Sequence, residues 1–122
     1  MKKFEYIELE LENHGLIRFE KKDIKDIHLS DDSVSLTVLR EANDISKYTI
    51  CGYPYPEGED LFERLMLVPN IQRINLCKND KEVEVFSVPY DGESLFRNGE
   101  NSFQKSYVDD MGNLVIDIRE RE

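Results

Sequence analysis

The side chains that could do chemistry in this chain are its carboxylates, two histidines and two cysteines. The chain has 26 Asp and Glu residues, which could in principle hold a metal for hydrolysis. Such a site needs acids that converge from different elements, and no spacing in the sequence indicates this. His14, His28, Cys51 and Cys77 have no recognised metal-ligand spacing either. We therefore expect no metal site and no cofactor.

Motifs for nucleophilic or phosphate-binding chemistry are also missing from the sequence. It contains no G-x-S-x-G, no Walker-type loop and no G-x-G-x-x-G. Cys51 precedes Gly52, where we expect a bend, but it has no cationic neighbour in sequence that would activate its thiol. Both cysteines lie in apolar, strand-like contexts, so we expect reduced, partly buried thiols. These observations predict a protein that is not an enzyme.

A segment rich in tyrosines and acids is the best candidate for binding a partner. Tyrosines on a loop stiffened by proline supply contact area at low entropy cost, and nearby acids can meet Lys or Arg. A loop from Asp91 to Glu100 is the second candidate. The alternatives are that the tyrosines cover the sheet edge and that the loop is an ordinary connection. The predicted partner-binding residues are Tyr53, Tyr55, Glu57, Glu59, Asp60, Asp91, Glu93 and Phe96.

The net charge narrows the class of partner. The chain carries a formal charge of −10 and has a pI of about 4.7. DNA, RNA and anionic membranes would be repelled, so we expect no direct binding to them. The charge is explained either by solubility alone or by recognition of a basic protein surface, such as that of a nucleic-acid-binding enzyme.

Hydrophobic periodicity predicts the elements that position these residues. Alternating apolar and polar residues indicate antiparallel hairpins within a single β-rich domain spanning residues 1–122. One short helix is expected near residues 60–67, with Asp60 as its N-cap. Residues 52–58, which include Pro54 and Pro56, are expected to break regular structure. The predicted fold class is therefore α+β, mostly antiparallel hairpins with about seven to nine strands.

Targeting signals are not apparent in the sequence. Acidic residues interrupt any apolar stretch after Met1-Lys2-Lys3, so we expect no signal peptide. No apolar run approaches the roughly 20 residues that span a membrane. The sequence therefore predicts a cytoplasmic protein.

The two ends of the chain carry a family resemblance. At the beginning, the relevant stretch is FEYIELELEN (4–13), with Leu16-Ile17 and Asp23-Ile24 after it. At the end, it is FQKSY (103–107), with GNLVI (112–116) after it. They resemble the opening and the ending of small uncharacterised phage and prophage proteins of Gram-positive bacteria. The middle of the chain is not covered, and the resemblance carries over no catalytic residues.

The resemblance implies a context for function. Small acidic proteins of mobile elements often act by binding a host or phage protein, and anti-CRISPR proteins belong to that broad class. We therefore expect a non-enzymatic binding protein that presents an acidic surface to a basic host protein and inhibits a defence or nucleic-acid enzyme. One alternative is a self-associating phage accessory or structural protein that forms a homo-oligomer. The second alternative is a hydrolase with a carboxylate-held metal.

Overall fold

Ten strands and one α-helix make up the computed structural model, which describes residues 3–30, 33–55, 60–67, 71–87 and 102–120. Within these ranges, no helix is long and apolar enough to cross a membrane. Short 3-10 turns lie at Lys21–Asp23, Arg40–Ala42 and Ile45–Lys47. The regular elements are β1 (Tyr6–Leu11), β2 (Gly15–Glu20), β3 (Ile24–Leu29), β4 (Ser33–Val38), β5 (Tyr48–Ile50), β6 (Tyr53–Pro54), α1 (Leu61–Leu67), β7 (Ile71–Lys78), β8 (Lys81–Ser87), β9 (Ser102–Val108) and β10 (Leu114–Glu120).

The strands form two antiparallel sheets. One sheet has the order β6-β5-β2-β1-β7-β8, and the other has the order β3-β4-β10-β9. Neighbours in sequence pair as the hairpins β1–β2, β3–β4, β7–β8 and β9–β10. This confirms the predicted α+β class of antiparallel hairpins with one short helix. The hairpins β3–β4 and β7–β8 lie in different sheets.

The tenth strand is the short edge strand β6, which the sequence analysis did not predict. We expected residues 52–58 to break regular structure, but Tyr53–Pro54 pairs with β5 through Ile50 and Thr49. Proline is tolerated there because an edge strand has one side without a partner, so the missing N–H of Pro54 removes no ladder bond. The prediction for the start of this segment was therefore wrong.

One hydrophobic cluster joins the two sheets and α1. Alternation along each strand turns every second side chain toward it, as with Ile7 and Leu9 in β1 and Ile116 and Ile118 in β10. Burying this apolar surface is the main force that holds the sheets together. The cluster also includes Ile17, Phe19, Leu36, Val38, Tyr48, Leu61, Phe62, Leu65, Ile74, Leu76 and Leu114.

Helix α1 forms where the sequence predicted it, directly after Asp60. Oδ1 of Asp60 accepts a hydrogen bond from Glu63 N at 2.8 Å, as an N-cap residue does. Leu61 and Leu65, one turn apart, are buried in the core. A helix of seven residues is not stable alone, so this packing is what keeps α1 folded.

Candidate functional site

A hydrogen bond between distant parts of the chain assembles an acidic patch at the start of α1. Phe62 N donates to Asn43 Oδ1 at 2.9 Å, which places the 3-10 turns around residue 43 beside the helix N-terminus. The tyrosine-containing segment adjoins the same helix, because the Arg64 guanidinium lies 4.6 Å from the ring centre of Tyr55. We call the exposed side chains of this region the acidic surface: Glu41, Asp44, Tyr53, Asp60 and Glu63.

The two predicted tyrosines have different roles in this region. The Tyr55 ring packs edge-on against buried Tyr48, with ring centres 4.9 Å apart, and its other neighbour is Arg64. Tyr55 therefore anchors the segment to the core, as the alternative interpretation held. Tyr53, by contrast, is 76% exposed on edge strand β6. Tyr53 is thus the tyrosine of this pair whose ring is exposed to solvent.

The aspartates of the acidic surface also fix the local backbone. Hydrogen bonds from Glu63 N and from the Asn43 side chain lower the pKa of Asp60, and a bond from Ser46 N lowers the pKa of Asp44. Both groups therefore stabilise the fold above pH ~4, and this contribution is lost as the pH falls through the lowered pKa. Glu41 and Glu63 are exposed without such a capping bond, so they suit mutagenesis better.

The remaining predicted partner-binding residues lie outside the described parts of the chain. These are Glu57, Glu59, Asp91, Glu93 and Phe96. The structure therefore describes three of the eight predicted residues. Tyr53 and Asp60 belong to the acidic surface, and Tyr55 lies beside it, against Arg64 of α1.

Glu41 and Asp44 are acidic-surface residues that the sequence analysis missed. Their link to α1 runs through Asn43 and Phe62, which are 19 positions apart in the chain. Asp44 followed by Ser46 is a local signal for a capped turn, because Asp commonly accepts a bond from the backbone N–H two residues on. No local signal indicates which other element that turn contacts.

A second polar surface lies on the outer face of the six-stranded sheet. Glu8 and Glu10 of β1 point away from the core and stand opposite Asn75 and Arg73 of β7. Asn75 Nδ2 donates to Glu10 Oε2 at 2.6 Å, and Cys77 Sγ contacts Glu8 Oε1 at 3.5 Å. Although they lie on the outer face, Asn75 and Cys77 are only 2% and 1% exposed. We call Glu8, Glu10 and Asn75 the acceptor cluster.

A groove of about 340 Å³ runs beside the acceptor cluster toward the 3-10 turn Ile45–Lys47. Its two cations already have partners. Arg18 lies over the Tyr6 ring at 3.6 Å and pairs with Glu20, and Lys47 pairs with Asp23 at 2.9 Å. The groove therefore offers no free positive charge to an anionic ligand. Its lining residues are Glu8, Leu16, Arg18, Glu20, Ser46, Lys47 and Thr49.

The two cysteines occupy opposite environments, which corrects the expectation that both are partly buried. Cys51 is exposed in the turn between β5 and β6, with φ at 53°. Cys77 is buried, and burial, reinforced by the neighbouring Glu8 carboxylate, raises the pKa of its thiol to about 11. Both thiols are free, as expected.

This contrast predicts selective alkylation of the folded protein. With iodoacetamide at pH 8, Cys51 is expected to react fully while Cys77 stays unmodified, because only about one Cys77 thiol in a thousand is ionised at that pH. Intact mass should show one added group in buffer and two in urea. Peptide mapping assigns the position, and rapid labelling of Cys77 in buffer would contradict the packing of this face.

Metal binding finds no support in the part of the chain that the structure describes. There, no three His, Cys, Asp or Glu side chains come together in a way that could hold a metal ion. Comparisons of the chain with protein-family models, with curated proteins and with solved structures give no match. The acidic surface and the acceptor cluster are therefore interpreted from their geometry and charge.

Proposed function

We propose that this chain is a non-enzymatic binding protein of the phage or prophage type, which inhibits a basic protein by occupying its charged surface. The observation that carries the proposal is the bond between Phe62 N and Asn43 Oδ1. It gathers exposed carboxylates from two segments, and exposed Tyr53 lies two residues before Tyr55, whose ring contacts Arg64 of α1. An exposed aromatic side chain in an acidic region suits a surface rich in Lys and Arg, such as the groove of a nucleic-acid enzyme.

Electrostatics would act over a longer range than these contacts. Eight of the 26 acidic residues, but only three of the 16 basic ones, lie outside the described ranges. The described ranges and the remainder therefore each carry half of the net charge of −10. Such a charge speeds encounter with a cationic partner and repels nucleic acid, and salt weakens both effects.

Binding is expected to depend on the position of the charges and not only on their number. The test is capture of partners by tagged protein from a Gram-positive lysate, with low-salt and then high-salt washes and mass spectrometry. Glu41→Lys combined with Glu63→Lys is expected to weaken binding of a captured basic protein about tenfold, because each reversal replaces an attraction with a repulsion. The affinity is then measured with the purified partner.

The control places the same change in charge elsewhere. Glu82 is exposed in β8, at the edge of the six-stranded sheet opposite to β6. Glu82→Lys paired with Asp26→Lys on β3 matches the double variant in net charge and should bind almost as the parent does. Equal losses for both double variants would contradict the acidic surface as the binding site. Affinity that does not change with salt would contradict an electrostatic mode of binding.

Self-association is the second candidate function, and one observation favours it. Tyr107 and Val108 in β9 and Met111 in the turn that follows are 39%, 40% and 71% exposed. Exposed apolar side chains at the end of an edge strand are suited to contact between copies. Because each copy is strongly acidic, such an oligomer would be strengthened by salt, whereas binding to a basic protein would be weakened. Light scattering over a range of salt concentrations distinguishes the two functions.

A further inference from the structure

A buried oxygen on the outer face of the six-stranded sheet has no hydrogen-bond partner. Among the described residues, Oδ1 of Asn75 is the one buried side-chain oxygen or nitrogen that has no hydrogen-bond partner. The orientation of the amide is fixed by its other end, since Nδ2 donates to Glu10 Oε2 at 2.6 Å. Turning the amide over would bring its oxygen against that carboxylate. An unpaired buried acceptor costs stability, so its retention calls for an explanation.

The surroundings of Asn75 are rich in acceptors and poor in available donors. Glu8 stands opposite Asn75 in β1, and among the described residues its carboxylate accepts only the weak donor Sγ of Cys77 at 3.5 Å. The Arg73 guanidinium forms a long ion pair with Glu10, with Nη1 3.9 Å from Oε2, and it donates no hydrogen bond to Asn75 Oδ1. Arg18, opposite Glu8 on β2, is engaged with Tyr6 and Glu20. What this site lacks is an N–H donor placed to reach both the Asn75 oxygen and the Glu8 carboxylate.

We infer that the acceptor cluster, Glu8, Glu10 and Asn75, is a binding site for an arginine side chain of a protein partner. A guanidinium carries five N–H donors in one plane, so it can donate to a carbonyl oxygen and a carboxylate together. A lysine ammonium is more strongly hydrated and lacks this fork. A metal ion would meet the amide hydrogens that Asn75 directs at Glu10. This site shares no residue with the acidic surface, so the inference goes beyond the proposed function.

The neighbouring side chains allow an arginine to enter. The Arg73 side chain is 52% exposed, so it can rotate aside and uncover the oxygen of Asn75 while Glu10 keeps its bond to the Asn75 amide. Val85 stands opposite Asn75 in β8 and is 45% exposed. It offers an apolar surface to the methylene stem of an incoming arginine.

The test uses a small probe and needs no knowledge of the partner. N-acetyl-arginine amide is titrated into the protein while the Asn75 side-chain amide is followed by NMR, with N-acetyl-citrulline amide as the neutral control. Saturable shifts with the arginine probe and none with citrulline are expected. Glu8→Gln should weaken the interaction about tenfold, and Asp26→Asn on β3 of the other sheet should leave it unchanged. Absent shifts, or equal shifts with both probes, would overturn the inference.

A second variant tests whether the Asn75 side chain takes part in binding. Asn75→Leu keeps the branched shape and removes the buried acceptor, but it also removes the bond from Nδ2 to Glu10 Oε2, so its effect on stability combines a gain and a loss. The decisive readout is therefore binding. Asn75→Leu is expected to abolish the shifts that the arginine probe causes at the backbone amides of Glu8 and Glu10, and unchanged shifts at these amides would overturn the inference.

Discussion

Replacing Tyr53 with alanine is expected to weaken binding to the proposed basic partner about 30-fold. Tyr53 is 76% exposed, so its ring is fully available to a partner, and Pro54 restricts the backbone that carries it. Burying a tyrosine at the centre of an interface commonly contributes about 2 kcal/mol, which corresponds to this loss. Titration calorimetry with the purified partner measures the change in affinity.

The Tyr53→Ala variant is expected to lose affinity but to keep its stability. An exposed side chain on a two-residue edge strand contributes little to the core, so the free energy of unfolding should change by less than about 0.5 kcal/mol. Tyr107→Ala is the matched control, because Tyr107 is also exposed but lies in the other sheet. Unchanged affinity for Tyr53→Ala, or an equal loss for Tyr107→Ala, would place the binding surface elsewhere.

The hairpins and the helix were predictable because their signals are local. In β1–β2, for example, alternating apolar residues approach and leave the turn at Asn13-His14-Gly15, where the backbone N–H of Gly15 bonds to Asn13 Oδ1. Helix α1 was predictable in the same way, because Asp60 marks its start and Leu61 and Leu65 mark its buried face. Each of these features involves residues that are close together in the sequence.

The arrangement of the hairpins was not predictable for the opposite reason. The pairing of β1 with β7 joins residues 60 to 71 positions apart, and alternation cannot specify which strand becomes the neighbour. The contact between Asn43 and Phe62 that assembles the acidic surface is also non-local. Sequence reasoning could therefore find Tyr53 and Asp60, but it could not place Glu41 or Asp44 beside them.

The acceptor cluster shows a further limit of pattern reasoning. Alternation correctly assigns Asn75 and Cys77 to the outer face of β7, and an outer-face asparagine is normally expected to meet solvent. Here the long side chains of Glu8 and Glu10, from the neighbouring strand β1, cross that face. Glu10 contacts Asn75, and Glu8 contacts Cys77. Cys51 shows the opposite difference, because it was expected to be partly buried and is exposed. It follows an apolar strand, but it lies with Gly52 in a turn where both residues have positive φ.

Replacing Tyr48 with alanine is expected to lower the free energy of unfolding by about 3–5 kcal/mol. Tyr48 is completely buried, and its ring supports that of Tyr55 at 4.9 Å. Its hydroxyl also accepts a hydrogen bond from Asn13 Nδ2 at 3.0 Å, and this donor would lose its partner. Small domains are stable by roughly 5–15 kcal/mol, so the loss is a large part of the total. Urea unfolding followed by circular dichroism measures it.

Tyr48→Phe separates the ring from its hydroxyl. It keeps the packing against Tyr55 and removes one hydrogen bond, so the loss should be about 1 kcal/mol and partner affinity should be unchanged. Tyr53→Ala is expected to show the reverse pattern, with affinity lost and stability kept. If Tyr48→Phe weakened binding as much as Tyr53→Ala, the division of the tyrosines into an anchor beneath the segment and a contact on its surface would be wrong. Opposite patterns in the two variants would support assigning recognition to Tyr53 and its positioning to the Tyr48–Tyr55 pair.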